Sequence, residues 1–222
     1  MPSAKIIQLR QALAEKFPHL RAHGAPVVAS PAWATGLLQI DGSSRGGLPK
    51  GALTEVVAAG RSAGSATVIH ALMERAAREQ QIITFLDGND SLDVTQLAPA
   101  TLARLLWIRA RGAGDTLKAL DLVLRDPNLG FVIVDLAFNN RADLHRIPGT
   151  TWYRFQRLLE DSSAICVVVT PQRMVLPAKL QITLRAESSL AGLDAPRDRL
   201  LATSPMDVAE SDVPQQLASH VA

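Results

Sequence analysis

Two short runs of residues decide what this chain can fold into. Phe131-Val132-Ile133-Val134-Asp135-Leu136 and Ile165-Cys166-Val167-Val168-Val169-Thr170 are apolar at successive positions, not at alternate ones. Side chains of a strand point to opposite faces in turn, so such runs need a sheet that is covered on both faces. Sheets of that kind are built from parallel strands joined by right-handed helical crossovers. Further apolar runs at 53–58, 82–87, 105–109 and 180–184 alternate with stretches of helical periodicity at 66–80, 95–102, 116–125 and 151–160. The pattern predicts a three-layer α/β fold, a mostly parallel sheet flanked by helices.

The rest of the chain is appendage to that core. With 222 residues, 47% of them hydrophobic, it suits one domain with extensions. Ser3 can cap a helix over residues 3–17, where Ile6, Leu9, Leu13 and Phe17 recur at helical spacing until Pro18 stops it. Prolines and glycines break residues 18–50, with a short strand expected at Gly36–Ile40. Residues 188–222 read as a flexible acidic tail. No apolar run approaches the roughly 20 residues that cross a bilayer, and the N-terminal charges come too early for a signal peptide. The single cysteine, Cys166, permits no internal disulfide, in keeping with a cytoplasmic protein, and within its apolar run it reads as an inert core thiol. No membrane contact is expected.

Charge is unevenly spread. Residues 187–222 hold six acids against two bases, and residues 1–186 hold 21 bases against 15 acids, although the whole chain is only +2. A basic body with an acidic tail fits a polyanion partner as well as it fits a solvated surface.

Two features point to a nucleotide-binding ancestry. The strand Leu53–Ala58 runs into Gly60-Arg61-Ser62-Ala63-Gly64-Ser65 and then a helix. Small residues between strand and helix let backbone N–H groups face an anion at the helix N-terminus. The second feature is Asp135, a carboxylate that ends an apolar strand and could help hold Mg²⁺. Either alone is commonplace; in this order along the chain they are more informative.

The segments GGLPKGALTEV, ITFLDGNDSLD and FVIVDLA resemble the core of the RecA-like recombinases, P-loop NTPases in fold. LPKGALTEV together with NNRADLHRIPGTTWYRFQRLLE resembles more narrowly the ImuA family, RecA-related and SulA-related accessory proteins of bacterial translesion synthesis. The resemblance covers residues 46–186 and implies an N-terminal arm over 1–45, a RecA-like core over 46–187 and the tail over 188–222.

Against the recombinase pattern the catalytic parts are eroded. A working loop reads G-x-x-x-x-G-K-[ST], its lysine neutralising the β- and γ-phosphates. No lysine stands between Lys50 and Lys118, and Gly64 or Ser65 takes its place according to register. Arg61 reads as a solvated loop arginine in preference to a substitute. Asn89 stands where the family's I-D-x-E pattern has the glutamate that activates water, with Asp90 beside it, and an amide takes no proton at neutral pH. Thr170 or Pro171 stands where the family has a glutamine that senses the γ-phosphate, with Gln172 just beyond. Of the site set Gly60, Arg61, Ser62, Gly64, Ser65 and Asp135, only Asp135 keeps its type. The expectation is therefore a chain that is not an enzyme, takes no obligatory cofactor and retains at most weak ATP and Mg²⁺ binding.

The recombinases' two DNA-tracking loops have counterparts at Asn139–Gly149 and Pro171–Lys179. These supply Arg141, Arg146, Arg173 and Lys179 as nucleic-acid candidates, equally readable as wet loop residues. His19, His23 and His70 lack the neighbours a metal site needs. Trp152 and Tyr153 read as core or interface.

The resemblance implies a non-hydrolysing RecA-like scaffold in SOS-induced DNA damage tolerance and mutagenesis, acting by protein contact. Its implied partners are a Y-family polymerase-like protein of the ImuB type, the error-prone DNA polymerase III alpha subunit and RecA, with DNA met indirectly. The alternatives are a SulA-type cell division inhibitor that binds FtsZ, a weak ATPase using Arg61 and Asp90, or a RecA paralogue that binds single-stranded DNA.

Overall fold

A computed structural model describes residues 32–60, 63–185, 200–202 and 204–211. The expected helix over residues 3–17, and most of the expected tail, lie outside these residues. Two short strands, β1 (Ala32–Trp33) and β2 (Leu48–Pro49), pair antiparallel around helix α1 (Leu38–Ser43). The main body then runs β3 (Ala52–Ala58), α2 (Ser65–Arg78), β4 (Ile83–Asp87), α3 (Pro99–Leu102), β5 (Leu105–Arg109), α4 (Gly112–Val123) and β6 (Phe131–Asp135). It finishes with α5 (Arg141–His145), α6 (Gly149–Glu160), β7 (Ile165–Thr170), β8 (Leu180–Leu184) and β9 (Met206–Glu210).

The strands form one sheet in the order β5-β4-β6-β7-β3-β8-β9, parallel throughout except for β9, which runs antiparallel to β8. The two apolar runs, β6 and β7, lie side by side near its middle, as runs without alternation require. Their successive residues serve different cores. Phe131 and Ile133 pack with Val68, Leu72 and Met73 of α2, whereas Val132 and Val134 pack with Leu120 of α4 and Trp152 and Phe155 of α6. Helices on both faces of a mostly parallel sheet make the expected three layers. Cys166 is fully buried on the second face, and burial pushes its thiol up to about 12, well clear of reactive thiolate chemistry. Among the described residues no helix is long and apolar enough to cross a membrane.

Three local expectations change. Gly36–Ile40 is not a strand, because α1 begins at Leu38. Asp41 draws the chain into a turn, accepting from the Thr35 N–H and hydroxyl at 2.9 and 2.7 Å and from the Gly36 N–H at 2.9 Å, and Gly36 supplies the positive φ of 80°. The helical stretch at 95–102 is split, with a 3₁₀ turn at Val94–Gln96 before Pro99 starts α3 afresh. Within the expected tail, Met206–Glu210 is a sheet strand. Its exposed acids are ion-paired, Asp207 with Arg185 and Glu210 with Arg45, so composition hid a strand whose Met206 and Val208 pack on the core.

Candidate functional site

Parallel strands bring their C-terminal ends to one edge, and open α/β folds put their chemistry there. At this edge β3 leads through Ala59 and Gly60 to α2, β4 ends at Asp87, β6 at Asp135 and β7 at Thr170.

The helix start at Gly64–Ser65 carries no cation in its first turn. Gly64 caps the helix at φ 86°, in the left-handed region, and its carbonyl accepts the Val68 N–H at 3.1 Å. Ser65 is buried, and the first turn, Ser65-Ala66-Thr67-Val68, carries no charged side chain. Arg61 and Ser62 lie outside the described residues. Beside the helix start, Ala63, Thr67, Leu184, Leu201, Pro205 and Met206 line a crevice whose water-accessible room is about 10 Å³, space for about one water. The segment that narrows it is tied down by Gln39. Its amide Nε2 donates to the Leu201 and Ala202 carbonyls at 3.3 and 3.0 Å, and its Oε1 accepts the Met206 N–H at 3.2 Å.

The two strand-end carboxylates lie opposite each other in register, Asp87 against Asp135. Asp87 is fully buried and its oxygens are used internally. They accept the N–H groups of Asn89, Ser91 and Leu92 at 2.9–3.2 Å and the indole N–H of Trp107 at 3.2 Å. Asp135 is less fully supplied. Its Oδ1 accepts the Ala137 N–H at 2.9 Å, and its Oδ2 meets the Ser91 hydroxyl at 3.3 Å, the same distance at which that hydroxyl meets Asp87 Oδ1. Burial, with a further push from the Asp87 charge, raises Asp135 to about 6. Gly88 closes the cluster. Its N–H donates to the Asp135 carbonyl at 3.0 Å and its carbonyl accepts the Asn139 amide at 2.9 Å. A Cβ on Gly88 would stand 2.5 Å from Asn139 Oδ1 and 2.9 Å from the Asp135 carbonyl oxygen.

The residues beside the family's water-activating position are occupied elsewhere. Asn89 is exposed, and Asp90, at φ 54°, is bound through both oxygens to Arg109, whose hydrogen bonds hold its carboxyl below the usual carboxylate range. Thr170, at the end of β7, is fully buried and donates its hydroxyl to Glu55 Oε1 at 3.0 Å.

Glu55 is the feature that sequence reading missed. It is fully buried in the middle of β3 and ties down the Pro171–Lys179 loop at Met174 and Val175. Besides Thr170, Oε1 accepts the Met174 and Val175 N–H groups at 2.8 and 3.1 Å, and Oε2 accepts the Gln181 amide at 2.7 Å. A lone acid inside an otherwise uncharged strand, LTEVVA, was the available signal, since buried charge survives only when it is well supplied with donors.

The four loop cations do not form one group. Arg141 and Arg146 are exposed on and just beyond α5, Arg146 facing Asp143 at 3.5 Å. Arg173 follows β7 nearby, where Gln172 Nε2 lies 3.3 Å from His145 Nε2. Lys179 sits at the opposite end of the sheet, its N–H donating to the Leu53 carbonyl at the start of β3. Among the described residues no cluster of His, Cys, Asp and Glu could hold a metal ion.

No family model matches the chain, and no curated protein matches it in sequence. Among solved structures it is similar to the crystal structure of the RadB recombinase, with a TM-score of 0.51 and 16% identity, over 68% of this chain and 82% of that one. The mostly parallel sheet flanked by helices agrees with that likeness: the chain has a RecA-like fold.

Proposed function

We propose that the chain is a RecA-like accessory protein that does not hydrolyse nucleotide and works by protein contacts in DNA damage tolerance, with the ImuA-type role in mutagenic translesion synthesis as its setting. The observation that carries this reading is the helix start at Gly64–Ser65, whose first turn, Ser65–Val68, carries no charged side chain. A triphosphate brings several negative charges to that point, and a neutral first turn offers little to balance them. A strand-end carboxylate argues in the same direction. Asp87 spends its oxygens on the chain's own donors, accepting three backbone N–H groups and the Trp107 indole N–H. On this reading the chain works without Mg²⁺ and ATP. In this role the partners would be the polymerase-like protein and polymerase subunit of translesion synthesis, with RecA beside them.

Titration calorimetry with ATP and Mg²⁺, followed by a turnover assay, tests the chemical half of the proposal. No binding heat and no phosphate release are expected. Turnover that Asp135→Ala abolishes would overturn it. Damage-induced mutation frequency in cells lacking the chain tests the setting and should fall. Filamentation on overexpression with mutation frequency unchanged would instead favour the division-inhibitor reading.

A further inference from the structure

The loop that Glu55 fixes also presents a surface. A recombinase-type loop that tracks DNA must move, but Pro171–Lys179 is tied at both Met174 and Val175 to a carboxylate buried in the central sheet. Its backbone is consequently held at these two residues before anything binds, which lowers the ordering cost of an interface. Held outward on this loop is Leu176, 56% exposed, lying over the first turn of α6 with its Cδ1 3.6 Å from the Cβ position of Gly149. One turn along the same helix stands Tyr153, 42% exposed.

Two arginines flank this pair. Several other surface arginines face carboxylates of this chain, as Arg75 faces Glu79 and Arg125 faces Asp121, although Arg111 and Arg141 have no such ion pair among the described residues. Arg173 on the loop and Arg157, one turn beyond Tyr153, are exposed and have neither an ion pair nor a side-chain hydrogen bond among the described residues.

We propose that Leu176 and Tyr153, flanked by the unpaired Arg173 and Arg157, form a docking surface for an acidic segment of a partner protein that inserts an apolar side chain. The unpaired guanidiniums call for carboxylates, and the apolar pair calls for a side chain to cover it. Single-stranded DNA would satisfy the arginines too, but it binds by stacking bases on aromatic platforms, and the outermost apolar group here is an aliphatic leucine. The inference rests on the protein-contact reading above and adds a place and a chemistry to it.

Selection of a displayed random 16-residue peptide library on the full chain, with a 25-residue poly(dT) strand as a parallel probe, tests it. Enriched peptides should combine Asp or Glu with a large apolar residue. Their affinity should fall about tenfold or more on Leu176→Ser, and also on Arg157→Ala, which lies on a different element. Leu122→Ser, which removes another exposed leucine on α4, should leave it unchanged, and melting temperatures report that each variant is folded. Peptides without acids, affinity insensitive to both substitutions, or a poly(dT) affinity that falls with them while no peptide is enriched would each overturn the proposal. ATP turnover would defeat the scaffold reading without altering peptide capture, so the two failures are distinguishable.

Discussion

Replacing Asp135 by asparagine should make the protein more stable at neutral pH, and the reason lies in where that carboxyl sits. It is 6% exposed, receives one backbone N–H and a hydroxyl shared with Asp87, and is raised to about 6. In the unfolded chain an aspartate titrates near 3.9. Between those values the folded state binds more protons than the unfolded one, so the contribution is fully present below about pH 4 and is lost as pH rises through about 6. Two pH units at 1.36 kcal/mol each put the loss at about 3 kcal/mol above pH 6. Asparagine keeps an acceptor for the Ala137 N–H, can donate to the Ser91 hydroxyl and carries no charge to desolvate. Urea unfolding of parent and Asp135→Asn, followed by tryptophan fluorescence from pH 4 to 8, should show near-equal stabilities at the acid end. At pH 7.5 the variant should lead by about 2–3 kcal/mol. A pH-independent difference, or a variant weaker than the parent at pH 7.5, would refute the reasoning. The lead would also mean that the aspartate is kept at a cost in stability.

Glu55→Ala should be among the most damaging single changes. It strips the acceptor from the Thr170 hydroxyl, two loop N–H groups and the Gln181 amide, with an expected loss of about 3–5 kcal/mol in chemical denaturation and of hydrogen-exchange protection at Met174 and Val175. Gly88→Ala drives a methyl group into Asn139 Oδ1 and the Asp135 carbonyl and should cost about 1–3 kcal/mol, measured in the same way.

The layers of this fold could be read from the sequence because the signals that specify them are local. β6 and β7 announce burial on both faces within six residues each, and α2 shows its buried stripe within four turns. The features that were hidden depend on partners far along the chain. Glu55 meets groups 115 to 126 residues later, and Ser91 joins Asp87 to a carboxylate 44 residues away. Nothing in LTEVVA says that four donors will converge on its glutamate. β9 went unseen for a different reason: at the sheet edge three of its five residues, Asp207, Ala209 and Glu210, are exposed, and the two acids among them gave it the composition of a solvated tail. The loop ahead of α2 was legible as a phosphate loop and as one without its lysine, but the crevice beside it depends on residues 201–206, more than 130 positions away.

The place of β3 in the sheet has a consequence for how the protein is made. It is the first long strand in the chain, yet its two neighbours, β7 and β8, lie more than 100 residues downstream, while β4, β5 and β6 pair among themselves. A ribosome adding residues from the N-terminus therefore releases Ala52–Ala58 and its glutamate long before anything exists to pair with either. At about 5–20 residues per second that interval lasts about 5–20 seconds, during which the apolar strand is open to chaperones and to other nascent chains. Non-local pairing of this kind also slows folding itself. A strand that ends up buried along its whole length in the finished molecule is thus left long without a partner during synthesis.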